Sequence, residues 1–271
     1  MDAARSERRG RPPKVTEASI AEAVLAEGFA GLTVPAVAAR LGVSTVTLYR
    51  HVPTRAQLLA LGWDHVLDDY SWPLLDLPWR ELLEAHAVAL WDLLAEHPGI
   101  VTEMSTAMLP QRMVGLFENL AAALVGQGFT AGQAVRAADA VLDLTLDHRR
   151  GAETLTRPVE GTTQSLREQI GTLWAPGHTD DAPTPSAQAA ARQAVRQAMS
   201  EAIAEDPRVW FRHKLDLILD GIAANHGPTN DSTDATDVRR TIPHDPHPSH
   251  STPNASSPSP RIADSEWSRP T

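Results

Sequence analysis

The sequence lacks cysteine altogether. A chain of 271 residues without cysteine has no disulfide, no thiolate metal ligand and no cysteine nucleophile. It also lacks a run of roughly 18 consecutive apolar residues, the length that a membrane-spanning helix needs, and no apolar stretch follows the basic N-terminus as it does in a secretion signal. We therefore expect a soluble protein of the reducing cytoplasm that has no contact with a membrane.

Sequence signatures of common enzyme classes are missing too. The chain contains no phosphate-binding loop, no Gly-x-Ser-x-Gly elbow, no His-Glu-x-x-His and no dinucleotide-type glycine pattern. We expect no enzyme, no catalytic residue, no cofactor and no metal site, and we keep an enzyme only as the less favoured alternative. His244, His247 and His250 are spaced as weak metal ligands, but histidines in a Pro- and Ser-rich tail are more typical of low-complexity sequence.

Charge is distributed unevenly along the chain. The net charge is −10, yet residues 1–55 hold eight Lys or Arg against five Asp or Glu. An electrostatic field acts locally, within a Debye length of about 10 Å. A short basic head on an acidic body is therefore compatible with contacts to phosphate groups.

Apolar residues recur at helical spacing through most of the chain, and no strand-like alternation occurs. We predict an all-α fold with a three-helix domain at residues 15–66 and a larger helical domain at 67–226. Within the larger domain, residues 156–186 are rich in Thr, Pro and Gly and predict a long loop. The predicted helices of that domain are 79–96, 98–108, 111–127, 131–155, 187–205 and 207–225. Residues 227–271 have too little apolar content to fold and predict a disordered tail.

Residues 33–52 have the pattern of a helix-turn-helix. Val37 and Leu41 form an inner face, Gly42 allows the sharp turn, and Leu48 faces back into the core. The outer face of the second helix then holds Ser44, Thr45, Val46, Thr47, Tyr49, Arg50 and His51. Small hydroxyl and methyl groups there can approach base edges, while longer side chains can reach phosphates. The alternative is an ordinary three-helix cluster whose polar residues face solvent.

Residues 14–66, and above all the stretch LGVSTVTLYRHVPTRAQLL, resemble the DNA-binding domain of the TetR (tetracycline-repressor-like) regulators. The resemblance implies an all-α homodimer whose recognition helices enter successive major grooves of a palindromic operator in double-stranded DNA. It also implies a repressor that a small-molecule effector releases; the alternative is DNA binding of this fold without sensing. Pro35 stands where relatives of the tetracycline-repressor type place an arginine that reads guanine. The positions that match the family's DNA contacts are Thr33, Thr45, Val46, Thr47, Tyr49, His51 and Arg55.

Residues 1–14 are predicted to form a flexible basic arm, because glycine and prolines interrupt its five basic residues. Arg9, Arg11 and Lys14 are its candidate DNA contacts. The tetrapeptide from Arg9 to Pro12 resembles the core of an AT-hook, in which arginines lie in a narrow minor groove. A tail that seeks phosphates without sequence preference is an equally good interpretation.

The second domain resembles the effector-binding and dimerisation domain of the same family, of the tetracycline-repressor type. His86 occupies a position that can bond the effector in that family, and a buried imidazole or carboxylate needs a partner. Core packing is the alternative for the apolar members, surface exposure for the acids, and a satisfied core histidine for His86. The predicted lining of a pocket for an apolar or amphipathic effector is His86, Leu90, Glu103, Met104, Thr106, Met113 and Phe117.

Two predicted helices offer apolar stripes suited to a four-helix dimer interface. The family builds its dimer from the equivalent pair of helices, whereas packing within one chain is the alternative. The stripe residues are Ala134, Ala137, Ala138, Val141 and Leu144 on one helix, and Leu215, Ile218, Leu219 and Ile222 on the last.

Overall fold

A computed structural model describes residues 15–104, 110–175 and 187–226. Within these residues the chain forms eleven α-helices and no β-strand, so the all-α prediction is confirmed; one isolated bridge joins Pro158 and Ser165. The predicted arm and tail lie outside the described residues, and the domain boundaries stay predictions. The helices are α1 Glu17–Glu27, α2 Val34–Arg40, α3 Thr45–His51, α4 Arg55–Asp69, α5 Trp79–Glu96, α6 Ile100–Met104, α7 Gln111–Gly126, α8 Ala131–Thr156, α9 Leu166–Trp174, α10 Ala187–Ala204 and α11 Pro207–His226.

Short polar side chains fix where the first helices begin. The Thr16 hydroxyl accepts a bond from the Ser19 amide, and the Ser19 hydroxyl accepts one from the Thr16 amide, so α1 starts at a reciprocal cap. Thr54 and Gln57 make the same arrangement at the start of α4, with amide-to-oxygen distances of 3.2 and 3.1 Å. These bonds satisfy amide groups that a helix N-terminus otherwise leaves without partners.

Helices α1 and α4 lie in unusually close contact. A Cβ atom added at Gly62 would lie 2.5 Å from Cγ1 of Val24, so only glycine fits at this crossing. Ile20 and Trp63 are buried beside it. Because α4 continues past this contact to Asp69, it carries the first domain's packing into the second.

Helix α5 provides the centre of the larger domain. Four leucines of α5 are fully buried: Leu82, Leu83, Leu90 and Leu94. The long helix α8 packs against α5, α7 and α11. Small alanine side chains along α8 let these neighbours approach closely, which suits dense core packing.

Most of the apolar stripe that we predicted for a dimer interface packs inside the chain. On α8 the three stripe alanines and Val141 are buried, and on α11 Leu215, Leu219 and Ile222 are buried as well. The alternative of packing within one chain therefore holds for these residues, because α5 and α7 already cover that face of α8. Leu144 and Ile218 are half-buried.

The prediction of an uninterrupted loop over 156–186 is wrong in its middle part. Helix α9 occupies Leu166–Trp174 and begins at a reciprocal cap between Ser165 and Glu168. The surrounding Thr, Pro and Gly residues hide this cap in a composition count, although Ser-x-x-Glu is a helix-start signal. Residues 176–186 lie outside the described residues.

Candidate DNA-binding surface and ligand cavity

Helices α2 and α3 form the predicted helix-turn-helix. Gly42 in the turn has a φ of +68°, a left-handed conformation that favours glycine. The Ser44 hydroxyl caps α3 by accepting a bond from the Thr47 amide at 3.1 Å. Leu48 is fully buried and Val52 nearly so. These anchors hold a helix whose β-branched residues would not be helical in isolation.

The outer face of α3 carries the predicted base-reading and phosphate-binding side chains. Val46 is 63% exposed and Tyr49 is 47% exposed, so this face of the seven-residue helix presents large side chains to solvent. His51 is exposed at the end of the helix, while Thr45 and Thr47 are half-buried on its flank. The structure therefore brings these five predicted residues together on one short helix.

Thr33 lies at the start of α2 and is exposed. Its hydroxyl caps α2 by accepting a bond from the Ala36 amide at 3.3 Å, with Pro35 in the first turn, where proline is tolerated. The hydroxyl of Thr47 is similarly engaged, 2.9 Å from the Ser44 hydroxyl. Both threonines thus have a local structural role, and their contact with DNA stays a prediction. The predicted contacts Arg9, Arg11 and Lys14 lie outside the described residues.

Arg55 points towards the larger domain and not along the α3 surface. Its Nε donates to the Leu32 carbonyl at 2.8 Å, and one terminal nitrogen donates to Glu103 at 2.9 Å. The side chains of Arg55 and Glu103 are 39% and 21% exposed. This pair ties the loop before α2 and the start of α4 to α6, a link that the sequence did not predict.

A cavity of about 300 Å³ lies between the end of α4, the following loop, α5 and α7. Its walls are mostly apolar, and an ion pair of 3.0 Å between Asp68 and Arg112 lies at its exposed rim. Asn119 adds an amide group. The remaining lining residues are Leu67, Trp72, Pro73, Leu75, His86, Gly115 and Leu116.

His86 is the polar group of this cavity's wall on α5. It is 1% exposed, its ring stacks on Trp72 with the ring planes 6° apart, and its Nδ1 lies 2.9 Å from the Leu82 carbonyl oxygen. Burial lowers the pKa of His86, and the bond to the Leu82 carbonyl partly offsets this. The ring is therefore neutral near pH 7, and because Nδ1 donates to the carbonyl, Nε2 is an acceptor. A ligand that approaches this nitrogen must offer a hydrogen-bond donor.

Of the predicted pocket residues whose side chains the structure describes, only His86 is among those that line this cavity. Leu90 and Met113 are buried in the core, and Phe117 is half-buried against it. Glu103 pairs with Arg55 instead of facing the cavity. The side chain of Met104 and all of Thr106 lie outside what the structure describes.

The sequence analysis missed the other lining residues. Trp72 and Leu75 belong to the α4–α5 loop, which has no helical periodicity to place it, and Trp72 is fixed by a 3.1 Å bond from its indole nitrogen to the Leu67 carbonyl. Gly115 contributes space and no side chain: a Cβ added there would meet nothing within 4 Å. In the sequence, the only sign of this cavity was Gly115, a glycine within the otherwise apolar pattern of α7.

Residues 19–61, which run from α1 to the first half of α4, match the family model of "Bacterial regulatory proteins, tetR family". Over these residues the chain is similar to the tetR family. It is 37% identical over 123 residues to the HTH-type transcriptional repressor DrrR1 of Streptomyces coeruleorubidus, a match that covers 42% of this chain and 46% of that protein. The chain thus spans about half the length of the curated relative it matches.

Solved TetR-family structures share the fold over most of the chain. ActR of Streptomyces coelicolor, in complex with (S)-DNPA, is 20% identical with a TM-score of 0.62, covering 79% of this chain and 100% of ActR. ActR in complex with actinorhodin is 20% identical with a TM-score of 0.61, covering 78% of this chain and 98% of ActR. At this identity the likeness establishes the fold, including the larger helical domain after the helix-turn-helix. Among the described residues, no helix combines the length and the apolar character that a bilayer-spanning segment needs.

Proposed function

We propose that this chain is a transcriptional regulator of the TetR family that binds a palindromic operator as a homodimer and is released by a small-molecule effector. The observation that carries the proposal is the face of α3, where Val46 and Tyr49 are exposed while Leu48 anchors the helix from behind. Exposed apolar and hydroxyl groups on a helix of this motif are suited to thymine methyl groups and base edges. The proposal places the protein with DNA in the cytoplasm and assigns it no catalysis.

Selection from a pool of random duplexes tests the DNA-binding half. The purified full chain should enrich sequences that share one palindrome, with half-sites about one helical turn apart. Val46→Ala should weaken binding to the selected duplex by about 1 kcal/mol or more while leaving binding to an unrelated duplex unchanged. Val125→Ala is the matched control, since Val125 is 45% exposed on α7, away from the proposed surface. Enrichment without a common motif would refute operator recognition.

The cavity next to His86 is the proposed effector site. Its size falls at the lower end of the range for small-molecule pockets, and its apolar wall with one buried acceptor fits an aromatic or amphipathic compound that carries a hydroxyl or N–H donor. Actinorhodin, which ActR binds in its crystal structure, is the first compound to titrate against the chain bound to its selected duplex. His86→Phe keeps a ring of similar shape and should weaken the response to an effective compound about 5- to 10-fold. If no compound changed the affinity for the operator, the chain would be a DNA-binding protein that does not sense a small molecule.

Helix α4 connects the proposed effector site to the DNA-binding surface. Its last turns line the cavity through Leu67 and Asp68, and Asp64 accepts a 2.8 Å bond from the Arg112 amide at the start of α7. Its first residue, Arg55, binds the loop before α2. An effector that prefers the DNA-free arrangement 100-fold would supply about 2.7 kcal/mol towards release.

A further inference from the structure

From the start of α1 to the end of α4 the chain holds three arginines and no lysine. Two of these arginines are held by carboxylates, Arg40 by Glu27 and Arg55 by Glu103. The third, Arg50, is exposed near the end of α3, and its guanidinium forms no ion pair or hydrogen bond within the part of the chain that the structure describes. Of the three, Arg50 is therefore the one whose charge and hydrogen-bond donors are free for a ligand.

Arg50 shares the outward side of α3 with Val46. Successive residues of an α-helix are about 100° apart, so these two, which are four positions apart, differ in direction by about 40°. Leu48 lies between them in the chain, is fully buried, and points about 160° away from each. Val46 and Arg50 therefore flank the direction that faces straight away from the core. Thr47 and Tyr49 lie on the two flanks, each about 100° from Leu48.

This placement separates the side chains that face bases from those that face phosphates. The major groove is about 12 Å wide and admits one α-helix, so the side of the helix opposite the core meets the groove floor and its flanks meet the sugar–phosphate walls. Arg50 thus faces the floor, whereas Tyr49 faces a wall. Long side chains on a helix also lean back towards its N-terminus. The Arg50 guanidinium is thereby carried towards Val46 and the end of α3 that contacts base edges.

The guanidinium supplies a pattern of donors that its neighbours on this face lack. Val46 offers only methyl groups, and a threonine hydroxyl offers a single donor. Guanine presents two acceptors, O6 and N7, at its major-groove edge, and the planar fork of an arginine can donate to both at once. Adenine and cytosine each carry an amino group at that edge, and a guanidinium has no acceptor for it. A guanidinium that faces the groove floor therefore favours guanine.

We propose that Arg50 determines the base preference at one position of each operator half-site by donating hydrogen bonds to O6 and N7 of a guanine. The inference rests on the proposed function, because it requires α3 to lie in the major groove. It assigns base readout to the last turn of α3, beyond the Thr45–Thr47 segment at its start. Since Arg50 lies about 6 Å along the helix axis from Val46, we expect the guanine within about two base pairs of the pair that Val46 contacts.

Replacement of single guanines by 7-deazaguanine tests the contact directly. This base still pairs with cytosine and keeps O6, but it lacks the N7 acceptor. In the palindrome selected by the full chain, the replacement at one guanine position of both half-sites should weaken binding by the unaltered chain about 10-fold. Arg50→Met keeps the aliphatic stem and should bind the substituted and unsubstituted duplexes equally. Because Arg50 is exposed and has no partner, its substitution should leave urea unfolding unchanged.

Selection from random duplexes provides a second readout with a matched control. Arg50→Met should enrich the same palindrome with the same half-site spacing, but without the guanine preference at that one position. Arg50→Lys keeps the charge and loses the planar fork, so it should recover non-specific binding but not the guanine preference. Arg40→Met is the control, since Arg40 is also exposed but pairs with Glu27, and it should leave the preference at every position unchanged.

The outcomes separate this inference from the function on which it rests. If the unaltered chain enriched no common palindrome, operator recognition itself would be refuted. A palindrome whose guanine preferences all persist in Arg50→Met would overturn the role of Arg50 alone. So would a variant that weakens all duplexes alike and that Arg50→Lys fully restores, because this behaviour belongs to a phosphate contact. Loss of one guanine preference together with insensitivity to 7-deazaguanine would support the proposal.

Discussion

The contact between Arg55 and Glu103 joins the DNA-binding domain to α6, and its energy can be measured with a double-mutant cycle. The cycle uses Arg55→Met, which keeps the aliphatic stem, Glu103→Gln and the double variant. Arg55→Met removes two hydrogen bonds, one to Glu103 and one to the Leu32 carbonyl. A hydrogen bond to a charged group contributes about 1.5–3 kcal/mol when it is buried. Because Arg55 is 39% exposed, we discount this to a loss of about 1–2 kcal/mol for Arg55→Met and a coupling energy of about 0.5–1 kcal/mol.

Urea unfolding of the four proteins at one fixed chain concentration gives the coupling energy. The cycle is needed because Glu103 makes a further interaction besides the one with Arg55, which a single substitution would also disturb. Arg208 and Asp92 form the matched control pair, at 2.6 Å but with both side chains more than 40% exposed. Their cycle should give less than about 0.5 kcal/mol. A coupling energy at Arg55 no larger than that of this control would refute the structural role of the pair.

The same variants address the prediction that Arg55 contacts a phosphate. When one phosphate contact is lost, the slope of log K for operator binding against log salt concentration becomes shallower by about 0.9. Because the structure holds the guanidinium against Glu103, we expect Arg55→Met to weaken operator binding with little change in this slope. A slope reduced by about one unit would instead show that Arg55 reaches DNA in the complex.

Three further predictions follow from individual positions. Gly99→Ala should destabilise the chain by about 1–3 kcal/mol in urea unfolding, since φ is +90° and the new methyl group would lie 2.7 Å from a backbone nitrogen of the α1–α2 loop. Gly221→Ala, in open space on α11, should be neutral or stabilising. The pKa of Asp143 is raised in the folded chain, mainly by burial and next by the aspartates one turn away. The free energy of unfolding therefore falls as the pH rises from the pKa of Asp143 in the unfolded chain to its higher pKa in the folded chain. Asp143→Asn should therefore stabilise the chain by a few tenths of a kcal/mol at pH 7 and by nothing at pH 3; equal gains at both pH values would contradict this. Leu217 is 73% exposed on α11, and Leu217→Arg should shift the proposed homodimer towards monomer in sedimentation, unlike Val125→Arg on α7.

Local signals in the sequence were sufficient to place the helix-turn-helix and its exposed face. Gly42 and the caps at Ser44 and Thr54 each determine a turn or a helix start through contacts within three residues. The spacing of Leu48 relative to Val46 then assigns one side of α3 to the core and the other to solvent. No long-range information enters these steps, which is why sequence and structure agree here.

The ligand cavity could not be predicted in the same way because it depends on contacts distant in sequence. Periodicity identified Leu90 and Met113 as apolar, but it does not distinguish a core residue from a cavity wall. His86 was identifiable as a polar group on an apolar helix face, whereas its partner Trp72 comes from a loop. Glu103 looked available for a ligand, and its pairing with a residue 48 positions away has no local signature.

Gly99, which immediately precedes the five-residue helix α6, contacts both α8 of the larger domain and the loop before α2. On one side the Gly99 amide donates to the Glu153 carboxylate of α8 at 3.1 Å. On the other, Gly99 lies so close to the backbone of Ala30 that even a methyl group does not fit between them. A contact with no free space cannot absorb a displacement. A shift of α8 relative to α5 that keeps the bond at Glu153 must therefore displace the loop before α2, whereas a shift that breaks this bond would release that loop from α8.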